Sequence, residues 1–475
     1  MLFPTAAFAL FFVVAFLANW LLRPHHTPWR LAMVALSLFF YGYWDARFVW
    51  LIVGSIVVNW LAAHAVAADR RPEGNGPIGR WVVRATVAAN LGLLVVFKYY
   101  GFFVTSAANL LNDLGLGANP PLLRIILPVG ISFFTFQALS YVIDVGRGAL
   151  RPLPLLDFAF FLSFFPQLVA GPIVRATTMT DQITTRPDPR SIPAGEAFLL
   201  IGQGLVKKVV ISSYLSSAIV DPVFEAPGAH SGTEALIATY AYAVQIYADF
   251  SGYTDIAIGC ALLLGFRFPQ NFDVPYVSRS IQEFWRRWHI TLSSWLRDYL
   301  YIPLGGNRGG RRATYRNLAL TMVLGGLWHG AAWNFVLWGG IHGGALAGER
   351  YATERWPARS SVPAPVVAVG RWLLTFHVVC LAWIFFRAPD AGRAFEVIGR
   401  ILTDRGPSPL ITPLLLAVVA GALAIQFVPR DLAIRLQGAY AQWPAGAQVA
   451  AAAVALVAVD VLGPEGVAPF IYFQF

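Results

Sequence analysis

The fold is decided by three consecutive stretches of apolar sequence that are interrupted by polar side chains. They read QIYADFSGYTDIAIGCALLLGFRFPQNF (245–272), RSIQEFWRRWHITLSSWLRDYLYIPLGGNRGGRR (279–312) and TMVLGGLWHGAAWNFVLWGGIHG (321–343). An ionisable side chain at membrane depth costs on the order of 2.5–3.5 kcal/mol on insertion scales, so it marks a candidate functional site. Asp249 and His329 are the two strongest candidates of this kind.

The composition is that of a membrane protein with many spanning helices. Hydrophobic residues make up 57% of the 475 positions and charged residues only 13%, whereas a soluble domain carries about 25% charged residues. Near-continuous apolar runs recur along the chain, and about 20 such residues cross the hydrocarbon core. The sequence predicts an all-α polytopic membrane protein with about ten to twelve transmembrane helices plus re-entrant or interfacial ones.

The net charge of +10 is interpreted through membrane topology. Lys and Arg are enriched in cytoplasmic loops of membrane proteins, so the excess of basic residues predicts which loops face the cytoplasm. Nucleic-acid binding is not expected. The N-terminal run lacks a basic region and a clear cleavage site, so residues 2–22 are interpreted as a retained first transmembrane helix. Cys260 and Cys380 are far apart in apolar surroundings, a pattern that favours neither a metal site nor a disulfide.

Two predicted helices carry stripes of polar side chains. Gln245, Asp249 and Tyr253 are spaced four residues apart, which places them on one helical face. Gln137 begins a second stripe on an aromatic-rich helix. Such stripes are expected to face protein or a water-filled cavity. For Asp249 the alternative is a buried carboxylate that is hydrogen-bonded for helix packing.

Two further features bear on the helices around these stripes. The sequence FFPQLVAGPIVR places Pro166 and Pro172 around Gln167, which predicts a broken or re-entrant segment because proline lacks a backbone donor. Lys207 and Lys208 lie near the start of a later helix. Long lysine side chains in that position are expected to extend to the membrane surface.

The middle stretch is strongly basic, with nine arginines against three acidic residues between 265 and 316. On a helical wheel the aromatic residues share one face, the arginines occupy the other, and His289 lies at the border. This pattern is typical of a helix in the cytoplasmic membrane interface. The arginines are candidates for docking a coenzyme or an acidic acyl-carrier protein, and the alternative is a role in topology and anionic-lipid binding. The docking candidates are Arg286, Arg287, Arg297 and Arg308.

His329 lies among Gly, Ala, Leu and Trp residues, and the small ones let helices approach closely. A catalytic imidazole and a hydrogen bond between helices fit this pattern equally well. His342, thirteen residues further on, is interpreted as structural. The supporting residues predicted to line a passage are Asp249, Gln245, Gln137, Tyr253 and Asn334.

Five motifs of the chain resemble the membrane-bound O-acyltransferase (MBOAT) family, and most closely its bacterial branch concerned with alginate O-acetylation. In order, they read LPVGISFFTFQALSYVIDV, FFPQLVAGPIVR, QIYADFSGYTDIAIG, FWRRWHITLSSWLRDYLYIPLGGNR and GGLWHGAAWNFVLWGGIHG. The resemblance covers roughly residues 1–400. It implies one membrane domain over 1–475, with a core at 122–347 between N-terminal helices (1–121) and C-terminal helices (348–475).

The resemblance also implies a function. It predicts a helical bundle with a funnel or tunnel near mid-membrane, His329 as the catalytic histidine and His289 as a second recurrent polar position. No tightly bound cofactor is expected, and acetyl-CoA or an acyl-carrier protein would be the donor substrate on the cytoplasmic side. The acceptor would be an extracytoplasmic polysaccharide such as alginate, often reached through a separate exported acyltransferase. The expected location is the bacterial inner membrane, as a multi-pass protein in contact with lipid.

These expectations lead to a mechanistic hypothesis. Burial lowers the pKa of a histidine, so a neutral His329 would act as general base or nucleophile. His289 would orient the donor or assist proton transfer, and Asp249 would align a histidine or be structural. The rival classes are a transporter or flippase without acyl chemistry and a membrane scaffold for an exported enzyme. Within the family, teichoic acid and peptidoglycan are alternative acceptors.

Overall fold

The structure is a computed structural model that describes residues 1, 3–72, 74–120, 123, 125–185, 187–356, 363–444, 446–448, 450–451, 454, 457 and 471. Within this part of the chain, the regular structure is helical apart from one antiparallel pair of two-residue strands, β1 (Arg70–Arg71) and β2 (Gly74–Asn75). The contacts divide the chain into two compact units, residues 1–197 with 257–269, and residues 198–256 with 270–475. The prediction of an all-α membrane protein is confirmed.

The first unit is built from helices separated by short connections. These are α1 (Ala6–Leu22), α2 (His26–Gly42), α3 (Val49–Ala68), α4 (Pro77–Leu94), α5 (Tyr100–Asp113), α6 (Ile131–Arg147), α7 (Leu155–Ser163), α8 (Phe165–Leu168) and α9 (Ala176–Thr184). Helix α6 contacts α3 and α4. It is delimited by Gly130 and Gly148, both with a φ of 75°, a left-handed conformation that glycine adopts without steric cost.

The polar stripe on α6 lies in the protein interior, as predicted. Gln137 is fully buried, and neither atom of its amide has a hydrogen-bond partner among the described residues. Tyr141 is also buried, and its hydroxyl accepts a hydrogen bond of 2.9 Å from the backbone of Leu153. Gln137 is therefore placed in the core of the first unit with its hydrogen-bonding capacity unused.

The predicted break around Pro166 is confirmed. Helix α7 ends at Ser163, α8 lasts four residues, and residues 172–175 have no regular structure. Gln167 satisfies part of the interrupted backbone, because its Nε2 donates to the carbonyl oxygen of Phe161 at 2.6 Å. A side chain thus replaces a backbone donor inside a buried segment.

The second unit contains the sequence stretches with the candidate site. The helices that lie in it or enter it are α10 (Ala194–Leu205), α11 (Ser213–Leu215), α12 (Asp221–Glu225), α13 (Gly232–Leu263), α14 (Ile281–Arg287), α15 (Ile290–Leu296), α16 (Gly310–His329), α17 (Trp333–Arg355), α18 (Ala364–Arg387), α19 (Ala391–Thr403), α20 (Pro413–Ala424) and α21 (Arg430–Ala441). Two π-helical segments, Val206–Ser212 and Ser216–Val220, continue α10 towards α12.

Among the described residues, four helical segments are long and apolar enough to cross a membrane. They are Ala46–Ala68, Pro77–Asp113, Ala194–Glu225 and Ala364–Arg387. Ala6–Leu22 and Pro413–Phe427 are apolar but shorter. The total of ten to twelve spans stays a prediction, and most residues after 444 lie outside the described part of the chain.

Candidate active site

The basic segment predicted to be one helix is two short helices that meet at His289. Helix α14 ends and α15 begins on either side of this residue, which has a φ of 41°. Phe284, Trp285 and Trp288 are buried inside the protein. The expectation of one continuous amphipathic helix is therefore wrong, because the left-handed backbone at His289 interrupts it. The aromatic face also packs against other rings of the chain. A helical wheel does not distinguish such a face from one that contacts lipid.

His289 is fully buried in an aromatic environment. Its ring centroid lies 4.6 Å from that of Phe250, 6.3 Å from that of Phe272 and 6.1 Å from that of Trp328. Its Nδ1 lies 3.1 Å from Oδ1 of Asn271. Burial lowers the pKa of His289 to about 3, because the interior disfavours the charged ring. The imidazole is accordingly neutral at pH 7.

His329 is the last residue of α16 and is 3% exposed. Its ring centroid lies 5.1 Å from that of Trp328, 5.0 Å from that of Trp338 and 5.2 Å from that of Phe386. Trp328 thus contacts both His329 and His289. The structure thus brings the two histidines into one aromatic cluster.

His342 belongs to the same cluster. Its ring centroid is 4.7 Å from that of Trp338, 5.1 Å from that of Trp285 and 6.0 Å from that of Phe284. The residue is fully buried, and neither ring nitrogen has a hydrogen-bond partner among the described residues. Its contacts are therefore packing contacts between rings, which agrees with the structural role expected for it.

Asn334 joins two helices of the second unit. Its Nδ2 donates to the carbonyl oxygens of Phe385 at 3.1 Å and Ala388 at 2.8 Å. These bonds attach the start of α17 to the end of α18, where helical carbonyl groups lack partners within the helix. The contacts of Asn334 thus indicate a structural function, although the sequence predicted a residue that lines a passage.

Helices α16 and α17 approach closely through glycine, as the small residues around His329 predicted. A β-carbon on Gly339 would lie 2.8 Å from Cα of Val323 and closer still to the carbonyl oxygen of Met322. A β-carbon on Gly326 would overlap the carbonyl oxygen of Phe335. Only glycine allows this backbone contact, which places His329 against α17.

Asp249 forms a buried ion pair with Lys208 on the segment after α10. The same carboxylate accepts hydrogen bonds from Oγ of Ser212 at 3.3 Å and from the backbone nitrogen of Ile471 at 3.0 Å. Lys208 has a side chain that is 2% exposed. The expectation that it extends to the membrane surface is therefore wrong, and the contacts of Asp249 are those of a buried packing carboxylate.

The neighbouring lysine makes a parallel contact. Nζ of Lys207 lies 2.7 Å from Oδ2 of Asp255, which also accepts a hydrogen bond of 3.3 Å from Gln203. The two helices approach closely because a β-carbon on Gly204 would lie 2.6 Å from the carbonyl oxygen of Gly252. This close crossing gives both lysines nearby carboxylates and explains why neither extends outward.

Gln245 and Tyr253 are buried on the same face of α13 as Asp249. Helix α13 is continuous from Gly232 to Leu263, so the shared face predicted from the spacing is confirmed. Gln137 belongs to the first unit, where it lies on α6.

The four candidate docking arginines differ in their surroundings. Arg286, Arg297 and Arg308 are exposed. Arg287 is half-buried, and its Nε donates to Glu283 at 3.0 Å. Arg297 pairs with Asp298 at 2.7 Å. Arg287 and Arg297 thus both pair with a carboxylate of the second unit, but only Arg287 is half-buried. The three exposed arginines retain their place as docking candidates.

Asn271 is the site residue that sequence reasoning missed. It lies in the connection between α13 and α14, where no periodicity applies. The one signal in the sequence was a polar asparagine beside the apolar Phe272. That pattern does not indicate which residue the asparagine bonds to. Its contact with His289 spans eighteen residues and depends on the turn of the chain between them.

Comparison with known proteins gives a consistent result. Residues 130–386 match the MBOAT, membrane-bound O-acyltransferase, family. The chain is 42% identical over 403 residues to a probable alginate O-acetylase AlgI of Pseudomonas syringae, an alignment that covers 83% of this chain and 74% of the relative. It is 38% identical over 441 residues to the peptidoglycan O-acetyltransferase of Helicobacter pylori, covering 86% and 81%. The teichoic acid D-alanyltransferase of Streptococcus thermophilus is 31% identical over 214 residues, covering 42% and 52%.

Proposed function

Because the chain belongs to the membrane-bound O-acyltransferase family, we propose that it moves an acetyl group from a thioester donor to hydroxyl groups of an extracytoplasmic polysaccharide such as alginate. Relatives named for O-acetylation of alginate and of peptidoglycan align over 83% and 86% of the chain. The relative named for D-alanyl transfer aligns over only 42%. This difference in coverage favours acetyl over D-alanyl transfer.

The observation that carries the proposal is the placement of His289 and His329 in one buried aromatic cluster. Imidazole is the side chain used most often for proton transfer near neutral pH. A neutral imidazole has an unprotonated ring nitrogen that is able to accept a proton. His329 is the proposed general base.

The proposed acetyl transfer needs no reactant besides the thioester and the acceptor hydroxyl. His329 removes the proton of the acceptor hydroxyl as that oxygen attacks the thioester carbonyl. The carbon–sulfur bond breaks, the acetyl ester forms, and the imidazolium returns the proton to the leaving thiolate. General base catalysis of this type contributes roughly 10²–10⁴-fold to the rate.

On the cytoplasmic side, the exposed arginines at 286, 297 and 308 are proposed to attract the phosphates of acetyl-CoA or an acidic acyl-carrier protein. The protein would act in the bacterial inner membrane. An exported acyltransferase is the proposed partner: one of its hydroxyl groups receives the acetyl group at His329, and the partner then passes this group on to the polysaccharide.

The decisive experiment compares His329→Ala with His25→Ala, which removes an exposed histidine. Purified protein in lipid nanodiscs is supplied with acetyl-CoA labelled in the acetyl group, with the exported acyltransferase and with alginate oligosaccharide as acceptor, and release of free thiol and transfer of label to the acceptor are measured. We expect at least a 100-fold loss of transfer in His329→Ala and normal transfer in His25→Ala. Wild-type transfer by a folded His329→Ala protein would exclude this histidine as the base.

The same assay separates the rival functions. A transporter would move labelled material without cleaving the thioester, and a scaffold would tolerate the loss of His329. Mass analysis of cell-surface glycans with and without the protein identifies the acceptor. If cells without the protein lose acetyl groups from peptidoglycan, then peptidoglycan and not alginate is the acceptor.

A further inference from the structure

Asn271 holds the ring of His289 through a side-chain oxygen that accepts three hydrogen bonds. Its Oδ1 lies 3.1 Å from Nδ1 of His289, 3.2 Å from the backbone nitrogen of Thr291 and 2.8 Å from Oγ1 of Thr291. A backbone N–H can only donate, so the atom that faces it is the amide oxygen and not the amide nitrogen. The backbone of Thr291 therefore determines which way the Asn271 amide points.

The tautomer of His289 follows from this orientation. A neutral imidazole has one N–H donor and one acceptor nitrogen. Because Oδ1 of Asn271 only accepts, Nδ1 carries the hydrogen and Nε2 carries the lone pair. Nε2 is buried and has no hydrogen-bond partner in the part of the chain that the structure describes. An unpaired buried acceptor is destabilising, and this cost is recovered when a donor bonds to it.

The backbone around this contact holds the ring in one direction. The backbone nitrogen of Ile290 donates to the carbonyl oxygen of Asn271, and that of Asp273 to the carbonyl oxygen of Arg287, both at 2.9 Å. His289 itself has a φ of 41°, a left-handed conformation that is strained for a residue with a β-carbon. The surrounding bonds maintain this strained conformation, and such strain concentrates at functional sites.

We propose that Asn271 is a positioning residue that holds His289 in the Nδ1–H form, so that Nε2 accepts a hydrogen bond from an N–H or O–H group of the thioester donor. The identity of this ligand rests on the proposed function. The donor is favoured over the acceptor as this ligand because His289 lies two residues after the end of α14, which carries the exposed Arg286. The pantetheine arm of a coenzyme A thioester has amide N–H groups that suit an unprotonated nitrogen. His329 then takes the proton of the acceptor hydroxyl.

The tautomer is tested without any enzymatic reaction. Protein labelled with ¹⁵N-histidine is compared with His289→Gln protein by solid-state NMR, and the difference identifies the ring signals of His289. We expect hydrogen on Nδ1 in the wild type, in Asn271→Asp, which keeps an acceptor oxygen, and in Thr291→Val, which removes another of the three bonds to that oxygen. Asn271→Leu should lose this preference. Hydrogen on Nε2 in the wild type would overturn the proposal.

Kinetics with acetyl-CoA test the positioning role. Loss of the partner that orients a functional histidine costs about 10- to 100-fold in well-studied metal sites, and we expect a rise of that size in KM for Asn271→Leu with a smaller change in kcat. Asn271→Asp should restore KM and move the acid limb of the pH profile upward, because a carboxylate raises the pKa of the adjacent ring.

Two outcomes separate this proposal from the proposed function. An Asn271→Leu protein with wild-type KM overturns the positioning role, whatever the acceptor is. A wild-type protein that does not consume acetyl-CoA contradicts the proposed function, while the NMR experiment still decides the tautomer. Asn271→Asp provides the folded comparison if Asn271→Leu does not accumulate in the membrane.

Discussion

The ion pair between Lys208 and Asp249 allows a sharp test of what holds the second unit together. Replacing Lys208 with Met removes the ammonium group and leaves the carboxylate buried. Removing one partner of a buried ion pair costs about 3–5 kcal/mol, because the remaining charge is uncompensated. The two side chains are 2% and 3% exposed, so solvent does not screen the remaining charge, and we expect a loss in the upper part of this range.

The double variant Lys208→Met with Asp249→Leu distinguishes charge from packing. With both side chains replaced, no uncompensated charge is left, and replacements of this kind are often neutral or stabilising. We therefore expect the double variant to be clearly more stable than either single variant. The matched control is Lys207→Met, since the Lys207–Asp255 pair is 24% and 16% exposed and its loss should cost less.

The assay is thermal unfolding of the purified protein in detergent, followed by tryptophan fluorescence and by the fraction that stays monodisperse after heating. The expected order of stability is wild type and double variant first, Lys207→Met next, and Lys208→Met and Asp249→Leu last. A double variant as unstable as the singles would refute the reasoning. The loss would then come from packing or from the bonds of Asp249 to Ser212 and Ile471.

Two further predictions concern the close approach of α16 to α17 and the docking of the donor. Gly339→Ala should lower the thermal unfolding temperature, because its β-carbon would lie 2.8 Å from Cα of Val323 and overpacking costs about 1–3 kcal/mol; Gly340→Ala, with open space around its β-carbon, should not, and equal effects would contradict the close contact. Arg286→Glu and Arg297→Glu should each raise KM for acetyl-CoA about two- to five-fold at low salt, with a smaller effect at high salt. A KM that is insensitive to both changes would exclude the docking role.

Local sequence properties were sufficient for much of the architecture. Hydrophobicity is a property of each segment, so the membrane class and the helical fold were predictable from composition. The face shared by Gln245, Asp249 and Tyr253 follows from helical periodicity, and the break near Pro166 from a missing backbone donor. The small residues around His329 likewise predicted a close helix approach. Each of these features depends on residues within a few turns of one another.

Only the tertiary structure decided which polar groups meet. Lys208 pairs with a carboxylate 41 positions away, and Asn271 bonds a histidine eighteen positions away across a non-helical turn. The aromatic face of the basic segment is buried against protein, although the same pattern suits lipid. Periodicity specifies the direction of a side chain on its own helix. The partner in that direction is supplied by packing between distant segments, which no local pattern contains.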